Sequence, residues 1–458
     1  MNNSDRNKIL ALLFAGVFMG ALDIGIVGPA LPAIKSAFGT DERIVSWIFT
    51  IYILFYMIGT PLMAKLSDMY GRKTLYILDV FLFAVGSAIT VFSFSFETLL
   101  IGRAIQGFGA GGIFPVASAF IGDTFPPEKR GGALGLIGSV WGFSGLLGPL
   151  LGGLLLNYGW QWLFIINIPI AAVIIILGFK ILPKGGQKSY SRFDWYGTAV
   201  LALLVSSLAY GVNQIDTTNF MGSLTSIYTW PFLVTALVLL PVMVKIEKLA
   251  DDPVIEIDLF KSREVKIATG ISLGTGLNQT AIVFLPAFAV TILSLTTSQA
   301  SLMVIPLVLT LGISAPLIGR LLDKFGSRNI MFVGTLILVI GLFMLGTLGS
   351  SFYLFIFSCM VIGLGLSSVL GSPLRYIMLS ESPAGQRAAG QALININSSV
   401  GQLVGGALIG AVIASQGGTS LGYQSAYILI GCIAIVMILL TLGLKKRKEQ
   451  LETMKSNF

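Results

Sequence analysis

Two charged residues, Asp23 and Arg103, lie inside long apolar segments of this sequence, where a charge needs a chemical reason. A charged side chain at the centre of a bilayer costs about 2.5–3.5 kcal/mol on insertion scales. At about 1.5 Å per helical residue, Asp23 lies roughly 18 Å from Lys35, which should stand at the membrane surface. By the same measure, Arg103 lies roughly 9 Å from Glu97. Both side chains therefore fall in the outer half of the membrane, and we expect them to form a charge-assisted pair.

A buried carboxylate beside an arginine can exchange a proton, because burial favours the neutral acid and the guanidinium favours the carboxylate. The chain has no histidine, so proton transfer near neutral pH would fall to carboxylates. A histidine-based metal site is also excluded. We expect Asp23 and Arg103 to form a proton-coupling site, and the alternative is an ion pair that only ties two helices together. Asp79 is a weaker candidate, for which a packing role is favoured.

The composition predicts an all-α polytopic membrane protein. The 458 residues are 55% hydrophobic and 11% charged, whereas soluble domains carry roughly a quarter charged residues. The first apolar run is about 26 residues long, which exceeds a signal-peptide core, so we expect it to be retained as a span. Runs of about 20 apolar residues predict fourteen helices, near 9–34, 44–64, 74–95, 98–122, 133–157, 161–182, 194–213, 228–246, 266–293, 298–320, 329–348, 352–374, 388–414 and 423–444.

The basic residues predict the orientation of these spans. An even number of spans puts both termini on one side, and a cytoplasmic N-terminus places all but three of the 29 basic residues in the cytoplasm. The exceptions are Lys35 and Arg43 outside and Arg103 within a span. This positive-inside pattern predicts a multi-pass protein of the inner (cytoplasmic) membrane with both termini cytoplasmic. It also explains the net charge of +8, so we expect contact with lipid and no nucleic-acid partner.

One pattern occurs twice in the sequence. "AKLSDMYGRK" (64–73) and "GRLLDKFGSR" (319–328) match as basic, Leu, any residue, Asp, any residue, aromatic, Gly, any residue, basic. Such a repeat on one face implies two duplicated halves of six helices, with helices 7 and 8 as an inserted pair. The predicted units are therefore a six-helix bundle (1–190), two inserted helices (191–250), and a second six-helix bundle with a short cytoplasmic tail (251–458).

These loops and several further motifs resemble one family. "AKLSDMYGRK" is similar to the loop 2–3 motif of the major facilitator superfamily, with Ala64 in place of the first glycine. "LDIGIVGPALP" (22–32), "IGRAIQGFGAGGIFP" (101–115) and "GSVWGFSGLLGPLLGGLL" (138–155) resemble the helix 1, helix 4 and helix 5 motifs of its fourteen-helix drug:proton antiporters. "WQWLFIINIP" (160–169) and "FDWYG" (193–197) are also typical of that family. The resemblance implies the major facilitator fold and proton-coupled efflux of drugs.

The resemblance also assigns roles to two groups of residues. It implies a conformational latch at the loop motifs, which holds the outward-facing state and in this chain would comprise Asp68, Gly71, Arg72, Asp123, Asp323, Gly326 and Arg328. It further implies that the helix 5 antiporter motif forms a smooth interface between the halves, through Gly138, Gly142, Gly145, Gly148, Pro149, Gly152 and Gly153. Small residues at such spacing let two helices approach closely. Both glycine loops are also compatible with simple surface turns at positive φ.

For substrate binding we look to polar and aromatic residues on helices that would line the midplane. The candidates are Tyr52, Gln106, Trp141, Asn278, Gln279, Phe284, Asn395 and Gln402. Amides between helices serve as often in packing as in ligand binding. An apolar, aromatic cavity with few fixed polar groups would accept many ligands.

Together these features predict a proton-coupled multidrug efflux antiporter that exports amphipathic, often cationic or zwitterionic drugs by alternating access. We expect no enzymatic activity and no cofactor, because no "GxxxxGK[ST]" motif for ATP occurs, and we expect a monomer with small-molecule drugs and protons as partners. The alternatives are an antiporter for one compound class, such as tetracyclines or a metabolite, a proton-coupled nutrient importer, and a membrane sensor that transports nothing.

Overall fold

The computed structural model describes residues 3–40, 47–183, 194–215, 219–250, 253–295, 297–383 and 386–456. All regular secondary structure in these ranges is helical. Arg43, the predicted boundary at 190/191 and residue 251, where the third predicted unit begins, lie outside the described residues.

The first part of the chain forms helices of which the long ones follow the predicted apolar runs. These are α1 (Asn3–Phe38), α2 (Trp47–Tyr70), α3 (Arg72–Val91), α4 (Phe96–Thr124), α5 (Pro127–Leu156), α6 (Trp162–Ile165), α7 (Asn167–Ile181), α8 (Trp195–Asn213), α9 (Phe220–Leu224) and α10 (Trp230–Leu249). The helix ends carry the expected signals: the Ser95 side chain accepts a hydrogen bond from Thr98 N at the start of α4, and Pro127 occupies the first turn of α5.

The second part repeats this arrangement. Its helices are α11 (Arg263–Val283), α12 (Leu285–Leu293), α13 (Thr297–Leu302), α14 (Ile305–Leu348), α15 (Phe352–Leu370), α16 (Ser372–Glu381), α17 (Arg387–Ser415), α18 (Ser420–Leu442) and α19 (Arg447–Ser456), and a short 3-10 helix (Ile257–Lys261) precedes them. The long α14 is interrupted at Gly326, whose φ of 80° lies in the left-handed region. Gly71, at the equivalent place between α2 and α3, has φ 99°. Both loop motifs therefore turn the chain at a glycine.

Many of these helices could cross a membrane. Within the described residues, ten are long and apolar enough, and an eleventh is added if α11 and α12, which are bent by 45°, form one span. Large apolar side chains on the outer surfaces of α8, α10 and α14 are exposed, such as Leu203, Leu237 and Ile313. Exposed apolar surface of this extent fits a lipid environment.

Each half has its own apolar core, and the halves meet along a limited set of helices. One core comprises side chains from α11 to α18, and the other comprises side chains mainly from α1 to α7. Between the halves, α5 packs along α14, and α17 packs against α2 and α4. The two loop motifs lie at one end of this interface, which we call the motif face, at Gly71 and Gly326.

The helices α8 and α10 pack on each other beside the first half. The rings of Tyr210 and Phe232 pack at a tilt of 49° with centroids 4.4 Å apart, and α8 also contacts α2 and α17. After α10 the chain returns to the motif face, where Glu256 accepts a hydrogen bond from Lys65 at 2.8 Å, with both side chains about 95% buried. This buried pair connects α2 to the segment that leads into the second half.

Candidate functional site

The carboxylate of Asp23 is the centre of a buried polar network in the first half. Arg103 Nη1 donates to Asp23 Oδ2 at 2.7 Å. Gln106 Nε2 and Asn167 Nδ2 donate to Asp23 Oδ1 at 2.9 and 3.0 Å. All four side chains are fully buried. The structure thus brings the two predicted residues together and surrounds the carboxylate with hydrogen-bond donors from α4 and α7.

Sequence reasoning assigned Gln106 to substrate binding and did not single out Asn167. Gln106 instead bridges the network, since its Oε1 accepts from Arg103 Nη1 at 2.6 Å while its Nε2 also donates to Ser87 Oγ at 2.9 Å. The signal for Asn167 was its place in the motif "WQWLFIINIP", where it interrupts the apolar run that starts at Trp162. An amide inside such a run needs a partner within the membrane, and here that partner is Asp23.

Tyr52 separates this network from a cavity. The Arg103 guanidinium stacks on the Tyr52 ring, with Cζ 4.2 Å from the ring centroid. The other side of this region borders a cavity that is small in this conformation, with a volume of about 20 Å³. It is lined by Val17, Gly20, Ala21, Ile24, Tyr52, Tyr56, Ala110, Ile113, Phe114 and Trp141. This central cavity is apolar and aromatic, and it lies directly beside the Asp23 network.

Of the predicted substrate residues, Gln106 belongs to the Asp23 network and Asn395 accepts from Arg375, and the other six divide into two groups. Tyr52 and Trp141 line the central cavity, whereas four residues of the second half are occupied in packing contacts. Asn278 Nδ2 donates to its own helix at Gly274 O, 2.7 Å away, and Gln402 Nε2 donates to Gln279 Oε1 at 2.7 Å. Phe284 packs against the core of the second half. The structure therefore does not place Asn278, Gln279, Phe284 or Gln402 on the central cavity, because each finds its contacts within its own half.

At the motif face, the first loop motif holds a helix of the other half. Asp68 accepts hydrogen bonds from Ala388 N and Ala389 N at 3.4 and 3.2 Å. These N–H groups lie in the first turn of α17, where the helix itself provides no acceptor. A helix N-terminus carries a partial positive charge that stabilises a carboxylate. Arg72 forms an ion pair with Asp68 and a second with Asp123, at 3.0 Å. The predicted members of this cluster are thus in contact.

Arg387 is a further member that sequence reasoning missed. Its Nη1 lies 2.6 Å from Asp123 Oδ1 and donates to Gly122 O at 3.1 Å. Asp123 therefore joins arginines of both halves, Arg72 and Arg387. The sequence feature that could have identified Arg387 is its position at the start of a predicted helix. A cation is unfavourable there because the helix N-terminus is itself partly positive, so an acidic partner is needed.

The second loop motif mirrors the first with different partners. Asp323 accepts from Gly131 N and Gly132 N, both at 3.0 Å, at the start of α5. Each motif aspartate therefore accepts hydrogen bonds from two successive backbone N–H groups in the first or second turn of a helix of the opposite half. Arg328 makes no ion pair with Asp323. When the two motifs are aligned, Arg328 corresponds to Lys73, and the residue that corresponds to Arg72 is Ser327, which carries no charge. Instead Arg447 of α19 donates to the Asp323 carbonyl at 2.7 Å.

The helix 5 motif serves two interfaces. A Cβ atom at position 138 would lie 3.3 Å from Gly371 Cα, and one at position 142 would overlap the backbone of Gly312. Gly145 faces the Val308 side chain, also in the second half. Further along α5, Gly148 packs on the backbone of Gly25 in α1. Pro149, Gly152 and Gly153 continue the helix. The motif thus joins the halves at one end and α1 at the other.

Among the buried ionisable groups outside these clusters are Asp79 and Arg375. Asp79 is fully buried, and neither carboxylate oxygen has a hydrogen-bond partner in the described part of the chain. It lies against Gly112, where a Cβ would overlap the carboxylate. The sequence predicted a span that ends at residue 374, so Arg375 was expected to lie just outside it. Arg103 was then the only arginine expected inside a membrane span. That expectation was wrong, since Arg375 lies in α16 and is 95% buried.

A match to a protein-family model shows the family to which this chain belongs. The model of the Major Facilitator Superfamily matches residues 13–245 and 267–456, which covers both halves and both loop motifs. The chain belongs to the major facilitator superfamily. Members of this superfamily are multi-pass membrane transporters of small molecules, so the chain is a transporter and not an enzyme. The predicted family is confirmed.

Relatives and solved structures agree with this membership. The chain is 30% identical to Multidrug resistance protein 3 of Bacillus subtilis over 347 residues, covering 75% of this chain and 67% of that protein. It is 30% identical to the riboflavin transporter RibZ of Clostridioides difficile, covering 83% and 82%. The human organic anion transporter MFSD10 shares the fold with a TM-score of 0.70 at 16% identity, covering 96% and 100%.

Proposed function

We propose that this superfamily member is a proton-coupled multidrug efflux antiporter that exports amphipathic drugs by alternating access. The observation that carries the proposal is the Asp23 network beside the central cavity. A carboxylate whose three partners are all donors is buried about one side chain away from an apolar, aromatic space. Aromatic and aliphatic walls accept many flat or amphipathic compounds.

The coupling follows from competition at this carboxylate. Protonation of Asp23 removes the charge that pairs with Arg103, and it leaves the guanidinium to its contacts with Gln106 and Tyr52. A cationic drug in the central cavity is attracted to the carboxylate only while the carboxylate is charged. Drug and proton therefore exclude each other. An exchange of one proton for a monovalent cation draws only on the pH difference, about 1.4 kcal/mol per unit.

The contacts at the motif face support an alternating-access mechanism. Asp68, Asp123 and Asp323 all bind across the interface between the halves. In this conformation the motif face is closed, and opening it requires these contacts to break. We propose that they form the conformational latch, with Arg387 and Arg447 as members in addition to Arg72. In the second motif Arg447 takes the place proposed for Arg328.

We further propose fourteen spans arranged as six, two and six, with both termini in the cytoplasm of a bacterial-type inner membrane. Three further spans are needed beyond the eleven given by the long apolar helices and the bent pair. Gly326 divides α14 into two runs, and α5 and α10 contain 30 and 20 residues. Each is long enough to cross a bilayer. The basic residues concentrated near the motif face favour a cytoplasmic position for that face.

A transporter for one compound class is the second candidate. The relative named as a riboflavin transporter favours it, because it is as similar in sequence to this chain as the relative named for multidrug resistance. One fold serves exporters and importers alike, so the direction of coupling needs its own measurement.

Proton movement in proteoliposomes tests the proposal. The wild-type protein, reconstituted with a pH-sensitive dye inside the vesicles, is expected to move protons when an amphipathic cation is added, in the direction opposite to the drug. Proton movement in the same direction as the substrate would indicate an importer. Movement with riboflavin or a tetracycline alone would favour the single-class transporter, and no movement with any compound would favour a sensor.

The close contact of α5 with α14 gives a second prediction. Gly142→Ala is expected to lower the rate of drug transport at least tenfold, because the added methyl group overlaps the Gly312 backbone and separates the halves. Overpacking of this kind costs about 1–3 kcal/mol. Gly406→Ala is the matched control, since a Cβ there meets only the Thr280 methyl at 3.7 Å. Equal transport rates in the two variants would show that this contact does not limit turnover.

A further inference from the structure

Arg375 occupies an unusual position between the halves of the transporter. It lies in α16, which starts after a break at Gly371, where α5 of the first half packs. Its guanidinium stacks on Phe114 of α4, with Cζ 3.6 Å from the ring centroid. Phe114 in turn lines the central cavity, together with Tyr56 and Trp141. A cation of the second half therefore lies against the wall of a cavity formed by the first half.

The hydrogen bonds of Arg375 are incomplete and include no carboxylate. Nη2 donates to Asn395 Oδ1 at 2.7 Å, and Nη1 donates to Gln391 Oε1 at 3.3 Å. Nε is buried and has no partner among the described residues. In contrast, the buried Arg72, Arg103 and Arg387 each pair with an aspartate.

A second donor at the same place is also unsatisfied. Asn395 accepts from Arg375 through Oδ1, but its Nδ2 is buried without a hydrogen-bond partner in the described part of the chain. Of the titratable side chains, Tyr56 interacts electrostatically with Arg375, and a phenol is neutral near pH 7. Among the described residues, these two buried donors thus lack an acceptor, and the positive charge of Arg375 lacks a counter-ion. Buried polar groups in native proteins are normally paired, so a ligand is the natural source of that acceptor.

We propose that Arg375 and Asn395 form an anion subsite that binds the acidic group of an anionic or zwitterionic substrate, while its aromatic body lies along the aromatic wall of the central cavity once the halves move apart. The proposal rests on the proposed transport function and adds a substrate class to it. A carboxylate or sulfonate accepts several hydrogen bonds at once, and Arg is suited to such groups because its planar guanidinium presents N–H donors in a fork. The Phe114 ring holds the guanidinium in place through a cation–π contact. The subsite also separates the two charges: the acidic group would bind Arg375, while a basic group could approach Asp23 beyond Tyr52.

A matched pair of dyes tests this subsite in the full chain. A rhodamine with a free carboxylate and its methyl ester share one aromatic cation and differ only in the acidic group. Binding of each dye is measured by fluorescence polarisation on protein in lipid nanodiscs, and transport is measured in proteoliposomes. In Arg375→Gln, the Kd of the carboxylate dye is expected to rise at least tenfold, and that of the ester is expected to change less than threefold.

Two further variants keep the result interpretable. Asn395→Leu removes the second donor and is expected to raise the Kd of the carboxylate dye about threefold, with the ester unaffected. Arg263→Gln removes an exposed arginine at the start of α11 and is expected to leave both dyes unchanged. If both dyes lose affinity equally in Arg375→Gln and in Asn395→Leu, or if neither variant affects the carboxylate dye, the subsite is wrong while drug transport stands. A wild-type protein that carries neither dye contradicts the proposed function itself, and the subsite with it.

Discussion

Asp23→Asn is expected to abolish drug-dependent proton movement in a protein that still folds, and to weaken the binding of a cationic drug, because the negative charge that attracts the drug is lost. Asparagine has the shape of aspartate but cannot carry a proton at this site. Its oxygen can still accept from Arg103, which now donates to Asp23 at 2.7 Å. Its new amide N–H group can find an acceptor if the side-chain amide of Asn167 rotates by about 180° about its terminal torsion. The Oδ1 of Asn167 is available because it has no partner among the described residues. In proteoliposomes containing a pH-sensitive dye, the signal on drug addition should fall to the level of empty vesicles.

The main physical risk in this variant is the arginine that it leaves without a counter-charge. Removing one partner of a buried ion pair costs about 3–5 kcal/mol, so a loss of signal could reflect unfolding. The double variant Asp23→Asn with Arg103→Gln restores neutrality and should regain thermal stability without regaining proton movement. Asp5→Asn removes a carboxylate whose side chain is 51% exposed and should behave as wild type. If Asp23→Asn retained full coupling, the proton carrier would lie elsewhere, with Asp79 as the next candidate.

The sequence was sufficient to predict the Asp23–Arg103 pair because a charge in a long apolar segment is costly, and few partners at similar depth are available. The helices were predictable for the same reason, since the apolar runs needed to cross a bilayer are long and few residues interrupt them. The repeat between residues 64–73 and 319–328 likewise predicted that each motif aspartate has an equivalent role. Both aspartates indeed accept backbone hydrogen bonds near the start of a helix of the opposite half.

What the sequence could not supply was the partner of each amide. Asn167 and Asn278 both lie within predicted spans, yet one donates to Asp23 and the other to its own helix. That choice depends on which face of each helix meets a neighbour, and this is fixed only by packing. Arg375 escaped detection for a different reason. The residues "GSP" before it resemble the end of a span, but Gly371 ends one helix and Pro373 lies in the first turn of the next.

The conformational latch leads to a prediction about kinetics and not about affinity. Asp68→Ala is expected to lower the rate of drug transport at least tenfold while the Kd for drug changes less than threefold. Asp68 binds Arg72 and the N-terminus of α17, and it is remote from the residues that line the central cavity. A carboxylate at a partly buried helix N-terminus contributes up to about 2 kcal/mol. Its loss therefore shifts the equilibrium between the closed and open motif face by a factor of about ten or more.

Cross-linking measures this shift independently of transport. Ala64 and Ala392 belong to a small buried cluster that joins α2 to α17, so cysteines at both positions, in a variant without Cys359 and Cys432, should link readily while the motif face is closed. Asp68→Ala should slow this cross-linking. Asp258→Ala is the matched control, because Asp258 is exposed and pairs only locally with Lys261 at 2.8 Å. Unchanged cross-linking together with unchanged transport in Asp68→Ala would exclude the latch, since a surface turn held only by Gly71 would not need the carboxylate.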